Sequence, residues 1–494
     1  MPGSKFSRSR AAQIAAWLIA ALSCFVILTG YVVGPSRPAH AQDSTTAAQT
    51  QTNGGKADAG AKKKPHVFKR KVGQGNPGSI LDRSISFLGI FVLLFLAWLM
   101  SNNRGEINWR LVGWGVALQL AFAIIIFFVP GGQYAFDAAT QAVEKLLQFT
   151  SDGSTFLFKS FASNKWEPAL QNFAFAVLPT IIFFSSLMTI LYHIGAMQKV
   201  VHFFAWIMQK TMNTSGAESL SAAANIFVGQ TEAPLVIKPY VNDMTMSELM
   251  TVMTGGFATV AGGVMAIYVG MLEPMFPDIA GHLIAASVMS APAALVVGKI
   301  MLPETSEPVT RGTLKLDAES EDVNLLDAAS RGAAEGLKLA LNVGAMLLAF
   351  IALIALVNYV LGLGFGLFMD NPLTLQDILG YAFSPIAFIM GVPWADCVNI
   401  GRLLGIKMAV NELVAYAELQ KMLTEGVPLQ DRSVIIATYA LCGFANFSSI
   451  GIQLGGIGGI APDRKKDLAK VVFRAMIAGT IAAFMTATIA GIFV

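Results

Sequence analysis

The chain has 494 residues, of which 54% are hydrophobic and only 13% are charged. Soluble domains carry about 25% charged residues, and several apolar runs approach the roughly 20 residues that cross a bilayer, so a soluble globular protein is excluded. These runs are continuous and do not alternate with polar residues, which also excludes a transmembrane β-barrel. Because 34 basic residues are balanced by 31 acidic ones, the charge gives no indication of a nucleic-acid partner.

The N-terminus has the features of a targeting segment. A basic start precedes an apolar run between Ile14 and Val33, and Ala39-His40-Ala41 has the form of a signal-peptidase site. We therefore predict a signal peptide at residues 1–41, with an uncleaved first anchor as the alternative. Residues 42–83 are too polar to bury a core, and we expect them to form a disordered extracytoplasmic tail.

Eight apolar segments downstream predict transmembrane helices. They lie near residues 84–100, 111–130, 169–193, 248–271, 280–300, 337–362, 432–455 and 471–494. Two other stretches, 216–246 and 394–428, are interrupted by charges and amides and predict re-entrant helical hairpins. An amphipathic run precedes each hairpin and predicts an interfacial helix. The predicted fold is an all-α polytopic membrane protein with about eight transmembrane helices and two hairpins.

The sequences after the two hairpins indicate an internal repeat. Gly256-Phe257-Ala258-Thr259 follows the first hairpin and Gly443-Phe444-Ala445-Asn446 follows the second, and each opens a stretch of small residues. An odd number of crossings separates the two copies, so they have opposite orientations, which is the inverted-repeat pattern of secondary transporters. The basic cluster between Arg464 and Arg474 belongs in the cytoplasm by the positive-inside rule. We therefore expect the N-terminal tail and the C-terminus on the extracytoplasmic side.

Two acids interrupt apolar sequence, Glu232 and Glu412, and we expect each to face a protein cavity because an unpaired charge in the membrane is costly. Pairing with a nearby base, Lys238 or Lys407, is the structural alternative. Neutral polar residues accompany the acids and suit a polyhydroxylated, uncharged ligand, although hydrogen bonds between helices would use the same groups. These residues are Asn225, Gln230, Thr231, Asn446, Ser448 and Ser449. Phe444 beside them either stacks on a planar ring or packs in the core.

Motifs for hydrolysis and metal binding are missing. The sequence contains no GxxxxGK[ST], HExxH or CxxC, its three cysteines are isolated, and its five histidines form no cluster. We therefore expect a protein that is not an enzyme and that has no cofactor.

Four motifs carry a resemblance to a known family. They are GQTEAPLVIKPY at 229–240, MTGGFATVAGGVMAIYVG at 253–270, KMAVNELVAY at 407–416 and GFANFSSIGIQLGGIGGIAPDRKKDLAK at 443–470. Over residues 84–494 the chain resembles the concentrative nucleoside transporters. The resemblance implies a homotrimer in which a scaffold stays fixed while each transport domain moves across the membrane. The implied parts are scaffold spans at 84–193 and 337–362, a cytoplasmic loop at 301–336, and transport repeats at 194–300 and 363–494.

The resemblance also implies roles for individual residues. The nucleobase side of the site would be formed by Gly229, Gln230, Thr231, Glu232 and Val264. The ribose side would be formed by Glu412, Asn446 and Ser449, with Phe444 packed beside the nucleoside. Sodium would be held by the carbonyls of Asn225, Val228 and Val260 and by the hydroxyls of Thr231 and Thr259.

The combined reading is a multi-pass symporter of the bacterial inner membrane that imports nucleosides together with a cation. We favour sodium because GQTEAPL resembles the sodium-coupled members and because Thr231 and Thr259 supply oxygen ligands. Coupling to protons is the alternative. A passive nucleoside channel, or an intramembrane enzyme that uses Glu232 and Glu412 as acid and base, ranks lower.

Overall fold

A computed structural model describes residues 78–160, 166–167, 170, 172–312, 322–365, 369 and 372–494. The predicted signal peptide and nearly all of the predicted tail lie outside these residues. Within them, every regular element is helical. The prediction of an all-α membrane protein is therefore confirmed for this part of the chain.

The helices of the first half lead to a bent pair and a hairpin. They are α1 (Ile80–Leu99), α2 (Trp109–Phe128), α3 (Pro130–Phe158), α4 (Phe173–Ala176), α5 (Leu178–His193), α6 (Ala196–Met212), α7 (Gly216–Ala224), α8 (Met246–Ala258), α9 (Gly262–Leu272) and α10 (Ile279–Met301). A 3₁₀ segment, Ala233–Asp243, follows α7 and completes the first hairpin. Its two prolines, Pro234 and Pro239, lack the N–H groups that an α-helix needs.

The second half repeats this order after one long helix. Its helices are α11 (Leu325–Phe365), α12 (Leu375–Ile389), α13 (Cys397–Ala409), α14 (Glu412–Thr424), α15 (Asp431–Leu441), α16 (Phe447–Ile460) and α17 (Lys465–Phe493). Helices α13 and α14 form the second hairpin, and the interfacial runs expected before each hairpin coincide with α6 and α12. The order of interfacial helix, hairpin, broken helix and long helix thus occurs twice.

Six helical segments in the described residues are long and apolar enough to cross a membrane. They are Ile80–Leu99, Trp109–Phe128, Met246–Leu272, Ile279–Met301, Leu325–Phe365 and Pro462–Phe493. Helices α5 and α6 qualify only as a pair, and the chain bends by 78° between them, where Gly195 has a φ of 76°. Helices α15 and α16 are each too short to cross alone and together cover the predicted span 432–455.

The two broken helices touch at their breaks. The first break separates α8 from α9 at residues 259–261, and the second separates α15 from α16 at residues 442–446. The backbone N–H of Phe444 donates to the Thr259 carbonyl at 3.3 Å. Gly443 has a φ of 134°, and a Cβ there would lie 2.8 Å from the Ala258 carbonyl oxygen. Only glycine adopts this conformation readily and allows so close an approach.

Burial divides the helices into an inner and an outer set. About 89% of the most apolar stretch of α10 and of α17 is buried, against 6% for α11. Helix α11 packs mainly on α5, where Gly332 and Gly336 lie against the α5 backbone, as small residues do at membrane helix interfaces. The remaining surface of α11 is largely exposed.

Two predicted boundaries and one missing element need correction. Helix α1 begins at Ile80 inside the predicted tail, and α11 begins at Leu325 inside the predicted loop 301–336. Charged residues in both first turns, such as Asp82 and Asp327, lower the local hydropathy, so these turns were not included. Ser79 and Asn324 cap the two helices through their side chains. Helix α3 was not predicted at all, because charged residues along it lower its hydropathy below that of a span.

Candidate functional site

The tip of the first hairpin lies against the first helix break. Residues 225–232 form the tip, in which the N–H groups of Glu232 and Ala233 both donate to the Gly229 carbonyl, at 3.2 and 3.0 Å. The Gly262 N–H at the start of α9 donates to the Phe227 carbonyl at 3.0 Å. A Cβ on Gly229 would be 3.5 Å from the Ala261 Cβ. The tip and the break therefore form one continuous wall.

An amide cluster links this tip to the second repeat. Gln230 Nε2 donates to Ser449 Oγ at 3.2 Å, and its Oε1 accepts from Gln453 Nε2 at 3.1 Å. Gln453 Nε2 is also 3.1 Å from the Met253 carbonyl oxygen on α8. The first hairpin, α8 and α16 thus meet at three buried side chains.

Two glycines make room for these contacts. A Cβ on Gly256 would approach Gln453 Nε2 to 2.7 Å, and a Cβ on Gly456 would approach Thr231 Cγ2 to 2.7 Å. Thr231 itself is half-buried beside α16. Small residues at these points are therefore a requirement of the contact between the repeats.

A second polar cluster surrounds Glu412, the first residue of α14. Glu412 Oε2 accepts from Asn446 Nδ2 at 2.7 Å, and Oε1 accepts from the Tyr268 hydroxyl at 3.2 Å. Asn446 caps α16, because its Oδ1 accepts from the Ser449 N–H at 2.9 Å. Glu412 is only 5% exposed, and a carboxylate at a helix N-terminus interacts favourably with the helix dipole.

The remaining residues of the predicted substrate site lie close by. Phe444 is half-buried in the second break, Val264 is buried in the first turn of α9, and Ser448 Oγ donates to Asn446 Oδ1 at 2.6 Å. Glu232 differs from Glu412 because its side chain is exposed. Its side chain lies over Gly229, so that a Cβ on Gly229 would be only 2.2 Å from the Glu232 Oε2 atom.

Ion pairing of the two acids is not what the structure shows. Lys407 is fully buried and donates to the Ala440 carbonyl at 2.8 Å, while Lys238 is exposed. Among the described residues, the ion pairs include neither Glu232 with Lys238 nor Glu412 with Lys407. The structure therefore shows no direct ion pair for either acid, although Lys407 and Glu412 are close enough to interact electrostatically.

Oxygen atoms that suit a cation line the junction of the first tip and first break. Asn225 Oδ1 and Ser221 Oγ are buried and have no hydrogen-bond partner in the described residues. Asn225 Nδ2 donates to the Ser221 carbonyl, and Thr259 Oγ1 donates to the Gly255 carbonyl at 2.9 Å, which leaves the threonine lone pairs available. Val228 lies in the tip and Val260 in the break. Carbonyl, amide and hydroxyl oxygens are ligands for hard cations, so these residues fit a sodium ion.

Two residues of the site were missed by the sequence analysis. Tyr268 stacks on Tyr416 with ring centroids 4.2 Å apart and donates to Glu412. Gln453 is fully buried and joins Gln230 to α8. The available signal was a lone polar group in an apolar, glycine-rich run, which in a membrane helix indicates an internal contact or a function.

Comparison with known proteins adds a family assignment. Three family profiles match: "Na+ dependent nucleoside transporter N-terminus" at residues 88–161, "Nucleoside recognition" at 174–275 and "Na+ dependent nucleoside transporter C-terminus" at 282–491. An "Uncharacterized transporter" of Haemophilus influenzae is 47% identical over 413 residues, which is 83% of this chain and 97% of that protein. "Sodium/nucleoside cotransporter 1" of Rattus norvegicus is 42% identical over 425 residues, which is 83% of this chain and 64% of the rat protein.

Solved structures show the same fold in more than one state. CNTnw in an inward-facing substrate-bound state aligns with a TM-score of 0.76 at 42% identity, covering 83% of this chain and 98% of that chain. A double variant of CNTnw in an outward-facing state also aligns with a TM-score of 0.76 at 42% identity, covering 83% and 97%.

Proposed function

The chain belongs to the concentrative nucleoside transporter family, and we propose that it imports nucleosides by symport with sodium through alternating access. The family is one of transporters and not of enzymes, so an intramembrane enzyme is set aside. The several apolar helices make the chain a multi-pass membrane protein. Its inward- and outward-facing structural neighbours support a mechanism in which the site opens to one side at a time.

The observation that carries the nucleoside proposal is the meeting of the two polar clusters at the facing breaks. We assign the nucleobase side to Gly229, Gln230, Thr231, Glu232 and Val264. We assign the ribose side to Glu412, Phe444, Asn446 and Ser449. A carboxylate that accepts from sugar hydroxyls makes charge-assisted hydrogen bonds, which are stronger than neutral ones, and the neighbouring amide and hydroxyl can satisfy the remaining groups of an uncharged sugar.

The sodium proposal rests on oxygens at the first break. Carbonyls of Asn225, Val228 and Val260 and hydroxyls of Thr231 and Thr259 would hold the ion. The buried Asn225 Oδ1 without a partner adds a further oxygen beside this set. Thr231 belongs to the same tip as the nucleobase residues, so an ion that orders the tip raises nucleoside affinity, and by linkage nucleoside raises ion affinity.

The arrangement in the membrane is also a proposal. We place the chain in a bacterial inner membrane with the basic cluster 464–474 in the cytoplasm, which puts the first residues of α1 and the end of α17 outside. We propose a homotrimer, supported by the sparsely covered surface of α11. The hairpins, α8–α10 and α13–α17 would move together against the scaffold helices α1–α5 and α11.

Uptake into proteoliposomes tests the function directly. Radiolabelled uridine and adenosine are supplied with an inward sodium gradient, an inward proton gradient, or neither. Accumulation with sodium alone supports the symporter and its cation site. Accumulation with protons alone retains the transporter and overturns the assignment of Thr231 and Thr259 to sodium. Equilibration without accumulation indicates a passive channel, and no uptake under any condition overturns the proposal.

A further inference from the structure

A cavity of about 740 Å³ lies away from the two polar clusters, between α3, α5, α9 and α14. Its volume is within the roughly 300–1,000 Å³ that is usual for small-molecule sites. The walls belong to the ends of α9 and α14 that follow the site and to α3 and α5, which the proposed topology places toward the extracytoplasmic side. The cavity therefore lies on the side from which an imported substrate arrives.

One wall is a polar face of α3. Leu147, Thr150, Ser151 and Ser154 line the cavity, and their spacing of three and four residues places them on one face of the helix. Thr150 Oγ1 donates to the Leu146 carbonyl at 3.2 Å. Buried hydroxyls on a helix next to a membrane, such as those of Thr150 and Ser154, are unexpected unless they have a partner.

Ser154 provides an independent sign of a ligand. Its side chain is 4% exposed, and its Oγ is buried without a hydrogen-bond partner in the described residues. A buried hydroxyl left in this condition costs about 1–3 kcal/mol. Because Ser154 lines the cavity, a polar ligand bound there would supply the hydrogen bond.

The opposite walls are polar and partly aromatic. Gln420 Nε2 donates to the Met271 carbonyl at 2.7 Å, which fixes α14 to α9 at the cavity. Trp166 lines the cavity, and its indole N–H is held by Thr155 Oγ1 at 2.9 Å. Glu273 adds a carboxylate. An acyl chain would leave the Ser154 hydroxyl without a partner, whereas a planar base with a sugar offers both a stacking face and hydroxyls.

The cavity and the proposed nucleoside site are neighbours on the same two helices. Met271 follows Tyr268 by three residues on α9, and Gln420 follows Tyr416 by four on α14. At 1.5 Å per residue these steps are about 4.5 and 6 Å along the helix axes. The stacked pair Tyr268 and Tyr416 therefore lies one helical turn beyond the cavity, in the direction of Glu412.

We propose that this cavity is an outer subsite, which binds a nucleoside before it reaches the Glu412 site. The inference rests on the proposed function. Hydroxyls of α3 and the amide of Gln420 bind the sugar and base edges, and Trp166 covers the base. Two nucleosides then bind per chain, one in each site.

Equilibrium binding of radiolabelled uridine to the purified full-length protein tests the subsite. Glu412→Gln weakens the inner site, so the uridine binding that remains in this variant reports on the cavity. The measurement is then repeated in the double variant that also carries Ser151→Trp, a substitution that fills the cavity from an exposed position. We expect the added tryptophan to weaken the remaining binding about tenfold or more, equivalent to about 1.4 kcal/mol. Asp152→Trp, on the next exposed residue outside the cavity, is the matched control and should leave it unchanged.

The outcomes separate the inference from the proposed function. Wild-type uptake with remaining binding that is insensitive to Ser151→Trp overturns the subsite and retains the transporter. Absence of uridine uptake by the wild type overturns the function. If Ser151→Trp instead reduces the phospholipid that copurifies and leaves uridine binding unchanged, the cavity is a lipid site and the inference is wrong. Thermal unfolding of each variant shows whether it is folded. If Ser151→Trp is not folded, Ser154→Ala, which removes the hydroxyl without adding volume, repeats the test.

Discussion

Replacing Glu412 by Gln tests the assignment of the ribose side most directly. The substitution keeps the shape of the side chain but leaves one accepting oxygen where there were two. In the structure the two carboxylate oxygens accept from Asn446 Nδ2 at 2.7 Å and from the Tyr268 hydroxyl at 3.2 Å. The amide oxygen of a glutamine can accept from one of these donors, but its NH₂ group then faces the other donor and cannot accept from it.

The expected loss follows from the charged hydrogen bonds. A hydrogen bond to a charged group contributes about 1.5–3 kcal/mol, and about 1.4 kcal/mol corresponds to a factor of ten. Losing one such bond to a ribose hydroxyl should therefore reduce kcat/KM for uridine roughly 10- to 150-fold. Glu418→Gln, six residues later on the same helix and half-buried, should change it less than about twofold, because surface charges contribute little.

The assay is the initial rate of uridine uptake, compared with that of 2′,3′-dideoxyuridine. If Glu412 accepts from ribose hydroxyls, the wild type prefers uridine and the variant loses most of that preference, as in a double-mutant cycle between protein and substrate. A folded variant that transports uridine normally, or that keeps the full preference, refutes the ribose assignment. A variant that no longer folds shows that Glu412 is structural.

Two further substitutions test the breaks. Gly443→Ala should destabilise the protein by about 1–3 kcal/mol in thermal unfolding, because of the backbone conformation of Gly443 and its approach to the Ala258 carbonyl. Gly451→Ala is the control and should be neutral or stabilising, because Gly451 has open space around it in α16. Equal effects of the two substitutions would contradict the close contact of the breaks. Thr259→Val removes a proposed sodium ligand with little change of shape, so the sodium concentration for half-maximal uptake should rise about tenfold, the lower end of losses at altered metal sites. Thr254→Val, on the adjoining helix α8, should not change it. An unchanged sodium dependence in Thr259→Val would remove Thr259 from the cation site.

Hydropathy predicted most of the fold because spanning helices need long apolar runs. The eight predicted spans overlap α1, α2, α5, α8 with α9, α10, α11, α15 with α16, and α17. Helix α3 was not predicted because its apolar residues lie on one face of the helix and do not form a continuous apolar segment. Its apolar and hydroxyl residues recur every three or four positions, from Phe136 through Thr140 to Leu147 and Ser154, with charges such as Lys145 between them. A window that averages over all faces hides such a pattern.

The sequence indicated which polar residues matter better than it indicated their partners. Glu412, Asn446, Gln230 and Ser449 are conspicuous because they interrupt apolar sequence. Their contacts join residues that are far apart in the chain: Tyr268 is 144 positions from Glu412, and Gln230 lies more than 200 positions from its partners on α16. Helical periodicity relates residues three or four apart, so it contains no information about such pairs. They arise from the antiparallel packing of two repeats.

That packing also explains how two ligands could act on each other without touching. On the proposed assignments, Thr259 binds the cation and Phe444 contacts the nucleoside. The Phe444 N–H donates to the Thr259 carbonyl, so the two sites are joined directly. Gln230 makes a second connection, from the first hairpin tip to Ser449. A cation that fixes the first break therefore fixes one side of the nucleoside site, and a bound nucleoside fixes the backbone that presents the cation ligands. Each ligand lowers the cost of ordering the other's site, and this shared ordering is the coupling free energy that symport requires.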